Sequence, residues 1–359
     1  MDETLQMMKE LTEAPGVPGQ EGPVREVMAR YLAPLGEILT DNLGSIVGVK
    51  SGRGVSKDDA PRILLAGHMD EVGFLVTLID DEGYLKFQTL GGWWEQVMLA
   101  QRVTVRTHKG DLVGVFGSKP PHILPADERK KLVEKHDMFI DIGAMSKEEA
   151  RAAGVRPGDP IIPICPFTVM ANEKNLLAKA WDNRFGCALA VQTLKLLGDD
   201  QPNTLYAGAT VQEEVGLRGA QTLSHLVDPD VAISLDVGIA GDTPGIKKHE
   251  AQSKFGAGPI ILIYDGSLIP NLKLRNMIID IAESEDIPYQ FDSVAAGGTD
   301  GGRFQLAGNG VPTITIGIPA RYIHSAASMI NRDDFDNAAR LLVSLINKLD
   351  ATAVAELKR

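Results

Sequence analysis

The chain has 359 residues, 44% of them hydrophobic and 23% charged, the balance of a globular protein too long for one small core. Its net charge of −12 opposes a phosphate backbone, and no basic run with interleaved aromatics is present, so nucleic acid is excluded as a partner. No stretch approaches the roughly 20 apolar residues that span a bilayer. The Asp2-Glu3 start lacks the basic and apolar regions of a signal peptide, so no membrane partner is expected and the location expected is cytoplasmic. Cys165 and Cys187 show no Cys-x-x-Cys spacing and are expected as buried thiols in a reducing compartment.

Leu5, Met8 and Leu11 predict a helix over 2–13, and a second follows from Pro23 to Leu32, with Pro34 and Gly36 beyond its end. Ser45–Lys50 and Arg62–Gly67 predict strands, the latter buried on both faces. After Asp70 the texture changes. Val72–Ile79 and Tyr84–Thr89 flank the turn Asp80-Asp81-Glu82-Gly83, and Arg102–Thr107 with Leu112–Phe116 repeat the hairpin pattern. A charged helix is expected over Asp127–Lys135, and Ser146 with Glu149 forms a capping box for another. Residues 71–162 therefore form a small β-rich domain inserted between 1–70 and 163–359.

Beyond Leu176 strands alternate with helices. Thr204–Val211, Val231–Leu235, Ile260–Tyr264 and Pro312–Gly317 are the strands; Arg184–Leu197, Asn271–Glu285 and Asp333–Leu349 are the helices. The alternation predicts an α/β layer fold.

Polar residues stand where these apolar strands end. His68 closes one, with Asp70 two residues on, so the aspartate can hold the histidine's far nitrogen or the backbone. Glu213-Glu214 follow Val211, Asp236 follows Leu235, and His324 follows the strand ending near Gly317. Asp182 opens a helix within Lys179-Ala180-Trp181-Asp182-Asn183-Arg184. Taken singly, each has a plainer role: a satisfied strand-end histidine, a solvated acidic turn, a helix N-cap. Together they meet at the carboxyl edge of the sheet, where open α/β folds bind ligands. Two histidines with several carboxylates suit zinc, cobalt or manganese. Two divalent ions would bring four positive charges against three negative ones from Asp182, Glu214 and Asp236. The excess would acidify a metal-bridging water and leave Glu213 free as general base.

The blocks His68-Met69-Asp70-Glu71-Val72-Gly73, Ala180-Trp181-Asp182-Asn183-Arg184, Val211-Gln212-Glu213-Glu214-Val215-Gly216-Leu217-Arg218-Gly219 and Tyr322-Ile323-His324-Ser325 resemble those of the tetrahedral and glutamyl aminopeptidases. Gly91-Gly92-Trp93, Lys119-Pro120-Pro121-His122 and Gly297-Gly298-Thr299-Asp300 fit the same family, nearly end to end. The resemblance implies a zinc-peptidase-like α/β/α catalytic domain with an inserted small β-barrel serving dimerisation or as a lid. It implies one metal on His68 and Asp236, another on Glu214 and His324, Asp182 bridging them, Glu213 as base and Asp70 behind His68. It also implies a cis Asp182–Asn183 bond, short peptides as substrates, and dimers that assemble into dodecamers. Gly298, Thr299 and Arg321 are the substrate-binding candidates.

Several alternatives stay open. A glutamyl aminopeptidase specific for acidic residues needs a cation in its first side-chain pocket, with Lys254, Arg303 and Arg321 as candidates. A two-metal N-acyl amidohydrolase would use the same chemistry. A non-catalytic metal-stabilised protein fits less well, because structural zinc sites are closed by cysteine and histidine. Some relatives are described as cellulases, yet glycosidases pair carboxylic acids about a sugar without metal.

Overall fold

The computed structural model describes residues 1–54 and 60–358. The chain opens with helix α1 (Glu3–Glu13), capped by the Asp2 carboxylate, which accepts the Leu5 N–H at 2.7 Å. Helix α2 (Gly22–Leu32) follows, with Pro23 in its first turn, where a missing N–H leaves no bond unmade. Three strands come next: β1 (Glu37–Thr40), β2 (Ile46–Ser51) and β3 (Arg62–His68). Ile63 and Leu65 of β3 pack into the core on one face, Leu64 and Ala66 into that on the other. Such burial on both faces is why that strand is apolar without alternation.

Strands β4 (Gly73–Ile79), β5 (Leu85–Leu90), β6 (Arg102–Thr107), β7 (Gly110–Gly117), β8 (Phe139–Asp141) and β9 (Pro160–Pro163) close a barrel in the order β4-β5-β8-β7-β6-β9. Its interior is its own, centred on Phe74, whose ring lies 5.4 Å from Phe87, 4.8 Å from Phe116 and 4.5 Å from Trp93. Helix α3 (Lys147–Ala152) hangs from it. The Ser146 hydroxyl accepts the Glu149 N–H, but the Glu149 carboxylate reaches back to the Met145 N–H, one residue beyond the expected box. The helix expected over Asp127–Lys135 does not form. Only short turns at Glu128–Lys130 and Lys135–Asp137 appear, none of their residues buried, because the segment sets Val133 alone against the barrel core and has no continuous apolar face.

Beyond the barrel come β10 (Thr168–Val169), β11 (Asn175–Ala178), α4 (Trp181–Leu196), β12 (Thr204–Thr210), α5 (Arg218–Val227), β13 (Val231–Ile239), β14 (Ile260–Asp265), α6 (Leu272–Ser284), β15 (Gln290–Val294), α7 (Gly301–Phe304), β16 (Thr313–Ala320), β17 (Ser328–Asn331), α8 (Arg332–Lys348) and α9 (Ala351–Leu357). The main sheet runs β1-β2-β12-β3-β13-β16-β14-β15, and β12, β3, β13 and β16 are mutually parallel at its centre. Helices α1, α2, α4, α6 and α8 pack on one face, α5 and α7 on the other. The expected α/β/α architecture with an inserted barrel is therefore the fold of this chain. Cys165 and Cys187 are free, though Cys165 is half-buried and only Cys187 is sealed in the core.

Candidate metal centre

The parallel strands deliver their terminal side chains to one edge. His68 ends β3, in register with Thr210 of β12; Glu213 and Glu214 follow β12; Asp236 lies late in β13; His324 follows β16. Asp182 enters from the start of α4, where it caps nothing. Asp182 and Asn183 depart from helical backbone angles, and the peptide between them is cis.

Donor atoms of His68, Asp182 and Asp236 lie within 4.8 Å of one another, as do those of Asp182, Glu214 and His324. Asp182 belongs to both groups. Its Oδ1 is 3.1 Å from His68 Nε2 and its Oδ2 is 3.3 Å from His324 Nε2. Glu214 Oε2 stands 3.6 Å from His324 Nε2, and Glu213 Oε2 is 3.7 Å from His68 Nε2.

The outer partners of the two imidazoles set their tautomers. His68 Nδ1 lies 3.0 Å from the Asp70 carbonyl oxygen and His324 Nδ1 lies 2.8 Å from that of Gly92. A carbonyl only accepts, so each Nδ1 donates and each Nε2 turns a lone pair toward Asp182. Lone pair facing carboxylate is stable only with a cation between them. Without metal the cation is a proton. Burial opposes protonation of both rings, yet Glu213 and Asp182 hold His68 well above its ordinary range, and Asp182 and Glu214 raise His324 to about 9.

The carboxylates bear the converse strain. Burial, with the Asp182 charge, lifts Glu214 to about 8. Burial likewise raises Asp236 and Glu213 well above the carboxylate range; Asp182 adds to the first, and Asp236 and Asp300 to the second, against the opposing His68. Burial pushes Asp182 the same way, but hydrogen bonds from His324 and His68 hold it low. Glu214 Oε1 is buried with no hydrogen-bond partner. Mixed nitrogen and oxygen donors, one carboxylate shared, and an orphaned oxygen fit divalent metal.

Asp70, fully buried, ties the centre together. Its Oδ1 accepts the Glu213 N–H and its Oδ2 the Glu214 N–H, both at 3.0 Å. Left-handed backbone rings the site at Ala180, Gln212, Leu217, Tyr322 and His324, a conformation uncommon outside glycine and concentrated at functional sites.

Other supports carried no role in the sequence reading. Arg184, wholly buried, donates from Nε to the Met69 carbonyl at 2.7 Å and from Nη1 to that of Ala14 at 2.8 Å. Glu71 pairs with both Arg184 and Lys179, so the segment after His68 is stapled to α1. A lone arginine opening an apolar helix was the available signal. Thr210 donates to Asp300, whose carboxyl burial pushes up to about 7.

A cavity of about 750 Å³ opens beside the cluster. Gly298 and Thr299 line it, together with Asp182, Glu213, Glu214, Asp236 and His324. Arg321 does not. Its guanidinium forks onto Asp242 at 2.9 and 2.7 Å and sits over the Phe255 ring. Lys254 is absent from the lining too, and Arg303 borders a separate groove beside Asp41 and His225. Among the described residues the lining holds no lysine or arginine.

The model of the M42 glutamyl aminopeptidase family matches residues 44–341. The chain belongs to that family. It is similar to the TET aminopeptidase of a marine sediment archaeon, Thaumarchaeota archaeon SCGC AB-539-E09, at 50% identity and TM-score 0.96, covering 99% of each chain. The glutamyl aminopeptidase of Lactococcus lactis is 38% identical over 99% of both chains. The TET1 peptidase of Pyrococcus horikoshii, said to assemble into a tetrahedron or a large octahedral shell, is 32% identical with TM-score 0.85, covering 97% of this chain and 100% of its own. This M42 protein is thus an aminopeptidase, a peptide hydrolase, of a metal-dependent family. Among the described residues no helix is long and apolar enough to cross a membrane.

Proposed function

We propose that the chain removes the N-terminal residue of short peptides at a two-metal centre, with His68 and Asp236 holding one ion, Glu214 and His324 the other, and Asp182 bridging. The observation that carries this is the division of the Asp182 carboxylate, one oxygen toward each imidazole lone pair. Imidazole and carboxylate donors suit zinc first, with cobalt or manganese next. Divalent ions held there supply positive charge that acidifies a water and polarises the scissile carbonyl.

The chain's own residues do the rest. Glu213 lacks a place in either donor group, so it is free to take the proton of the attacking water. As the water oxygen bonds to the carbonyl carbon and the C–N bond breaks, Glu213 returns that proton to the departing amine nitrogen. Asp70 positions Glu213 and Glu214 through their backbone N–H groups. The backbone at Gly298 and Thr299 borders the peptide's path. Lys254, Arg303 and Arg321 stand outside the residues that line the cavity.

The catalytic domain comprises 1–70 and 163–359, and the barrel segment 71–162 serves dimerisation and as a lid. Exposed Leu78, Trp94 and Val113 on the barrel support an interface there, and the tetrahedral assembly of the Pyrococcus horikoshii relative supports dimers that build a dodecamer. Two free thiols, one sealed in the core, suit the cytoplasm.

Glu213→Gln tests the reaction. Turnover of leucyl and lysyl aminoacyl substrates should fall about 10²- to 10⁴-fold, while metal content by elemental analysis stays at the wild-type level. Normal turnover in a metal-loaded Glu213→Gln protein would remove the mechanism.

A further inference from the structure

The loop that carries Glu213 and Glu214 turns its carbonyls inward and its first N–H groups outward. The carbonyls of Val211, Gln212 and Glu213 accept the N–H groups of Gly219, Arg218 and Leu217, so they are satisfied within the loop. The N–H groups of residues 212, 213 and 214 leave it. Asp70 takes those of Glu213 and Glu214, and Oε1 of Glu21, 191 residues before Gln212, takes that of Gln212 at 3.1 Å. Three successive N–H groups turned on anions form a nest, here filled by two side chains from distant parts of the chain.

The sequence around Glu21 builds its half of that nest. Pro18 and Gly19 hold the central positions of a turn closed by the Gln20 N–H on the Val17 carbonyl at 2.9 Å, and Gly19 stands at φ +82, the left-handed value that the third residue of such a turn requires. The Gly19 N–H then donates to the same Glu21 Oε1 at 2.8 Å, which fixes the carboxylate. Glu21 is the residue that precedes α2, yet its side chain caps nothing there, and glutamate is not a favoured cap. The group is 5% exposed, and burial together with the Asp70 charge raises its carboxyl to about 7. Burying it beside a like charge is destabilising for the helix entry alone. Its outward partner is the loop.

Gln212 is the residue held. It lies in left-handed backbone at φ +55, a conformation that a non-glycine residue keeps when its surroundings impose it. The next two residues are Glu213 and Glu214.

We infer that Glu21 is a positioning residue of the reaction: by gripping the Gln212 N–H it fixes the left-handed bend just past β12, and that bend aims the side chains of Glu213 and Glu214. The inference rests on the metal-centre reading above, which gives those two side chains their work.

The test compares the wild type with Glu21→Ala and Glu21→Gln. In calorimetric titration with zinc, Glu21→Ala should bind the ion of Glu214 and His324 about tenfold more weakly and the ion of His68 and Asp236 as the wild type does. At saturating zinc its kcat for leucyl p-nitroanilide should fall about 10- to 100-fold, with KM moved by no more than about twofold. Glu21→Gln keeps an oxygen acceptor for the two N–H groups and should bring both readings back to within about threefold of the wild type. Should Glu21→Ala not fold, Glu21→Asp, which keeps the charge and draws the oxygen back by one methylene, is held to the same outcomes. Equal weakening of the two ions, a full rate in Glu21→Ala, or a Glu21→Gln protein no better than Glu21→Ala would overturn the assignment and leave the metal centre standing. Normal turnover in metal-loaded Glu213→Gln would instead remove the reading on which this one rests.

Discussion

The two donor groups that share Asp182 are built from different material. His68 and Asp236 sit on β3 and β13, central parallel strands buried on both faces, and His68 is 1% exposed. Glu214 and His324 sit on loops, beside left-handed Gln212 and Tyr322, and the His324 side chain is 39% exposed. The strand pair is positioned by the sheet, with the Asp70 carbonyl behind His68. The loop pair leans on the barrel, because the Gly92 carbonyl orients His324 and Gly91 packs against Glu214. Rigid elements hold a ligand more accurately than loops do, so the loop group depends on how the barrel docks.

Removing each imidazole should expose that asymmetry most strongly. His324→Ala should keep about one ion per chain in the strand group, whereas His68→Ala should lose nearly all metal, since the loop group is less preorganised. Elemental analysis after exhaustive dialysis reads both, and equal retention in the two variants would erase the distinction. Asp70→Asn should come next. It removes one of the two acceptors that clamp Glu213 and Glu214, and should lower kcat about 10- to 100-fold; a full rate would mean that the β12 loop holds itself. Gly91→Ala is the mildest and the most selective. At φ +79 a new Cβ would lie 2.8 Å from Glu214 Oε2, so calorimetric titration should show weaker binding in the loop group, by about tenfold, and an unchanged strand group. Equal weakening of both would make the barrel contact a general packing effect.

Much of this was legible in the chain because it is local. The apolar runs ending at His68, Val211 and Leu235 mark central strands, and parallel topology sends their next residues to a common edge. Helix α5 could also have been anticipated, since Ala220, Leu223 and Val227 have helical spacing and are its buried face. The segment 127–135 misled for the opposite reason: charge pattern and propensity favour a helix, but stability comes from packing, and here Leu132 is 59% exposed. Arg321 looked available because its positive charge was visible in the sequence and its partner Asp242, 79 residues away, was not.

Residue type and spacing thus settled the fold class and the family and singled out the candidate donors, since each depends on periodicity and on which groups end a strand. Which Asp182 oxygen faces which imidazole depended on the folded chain, as did the Gly92 carbonyl behind His324, 232 residues away, and the Glu21 carboxylate on the Gln212 N–H. Those are relations between distant segments, and hydrogen-bond direction and desolvation come into being only when packing brings the segments together.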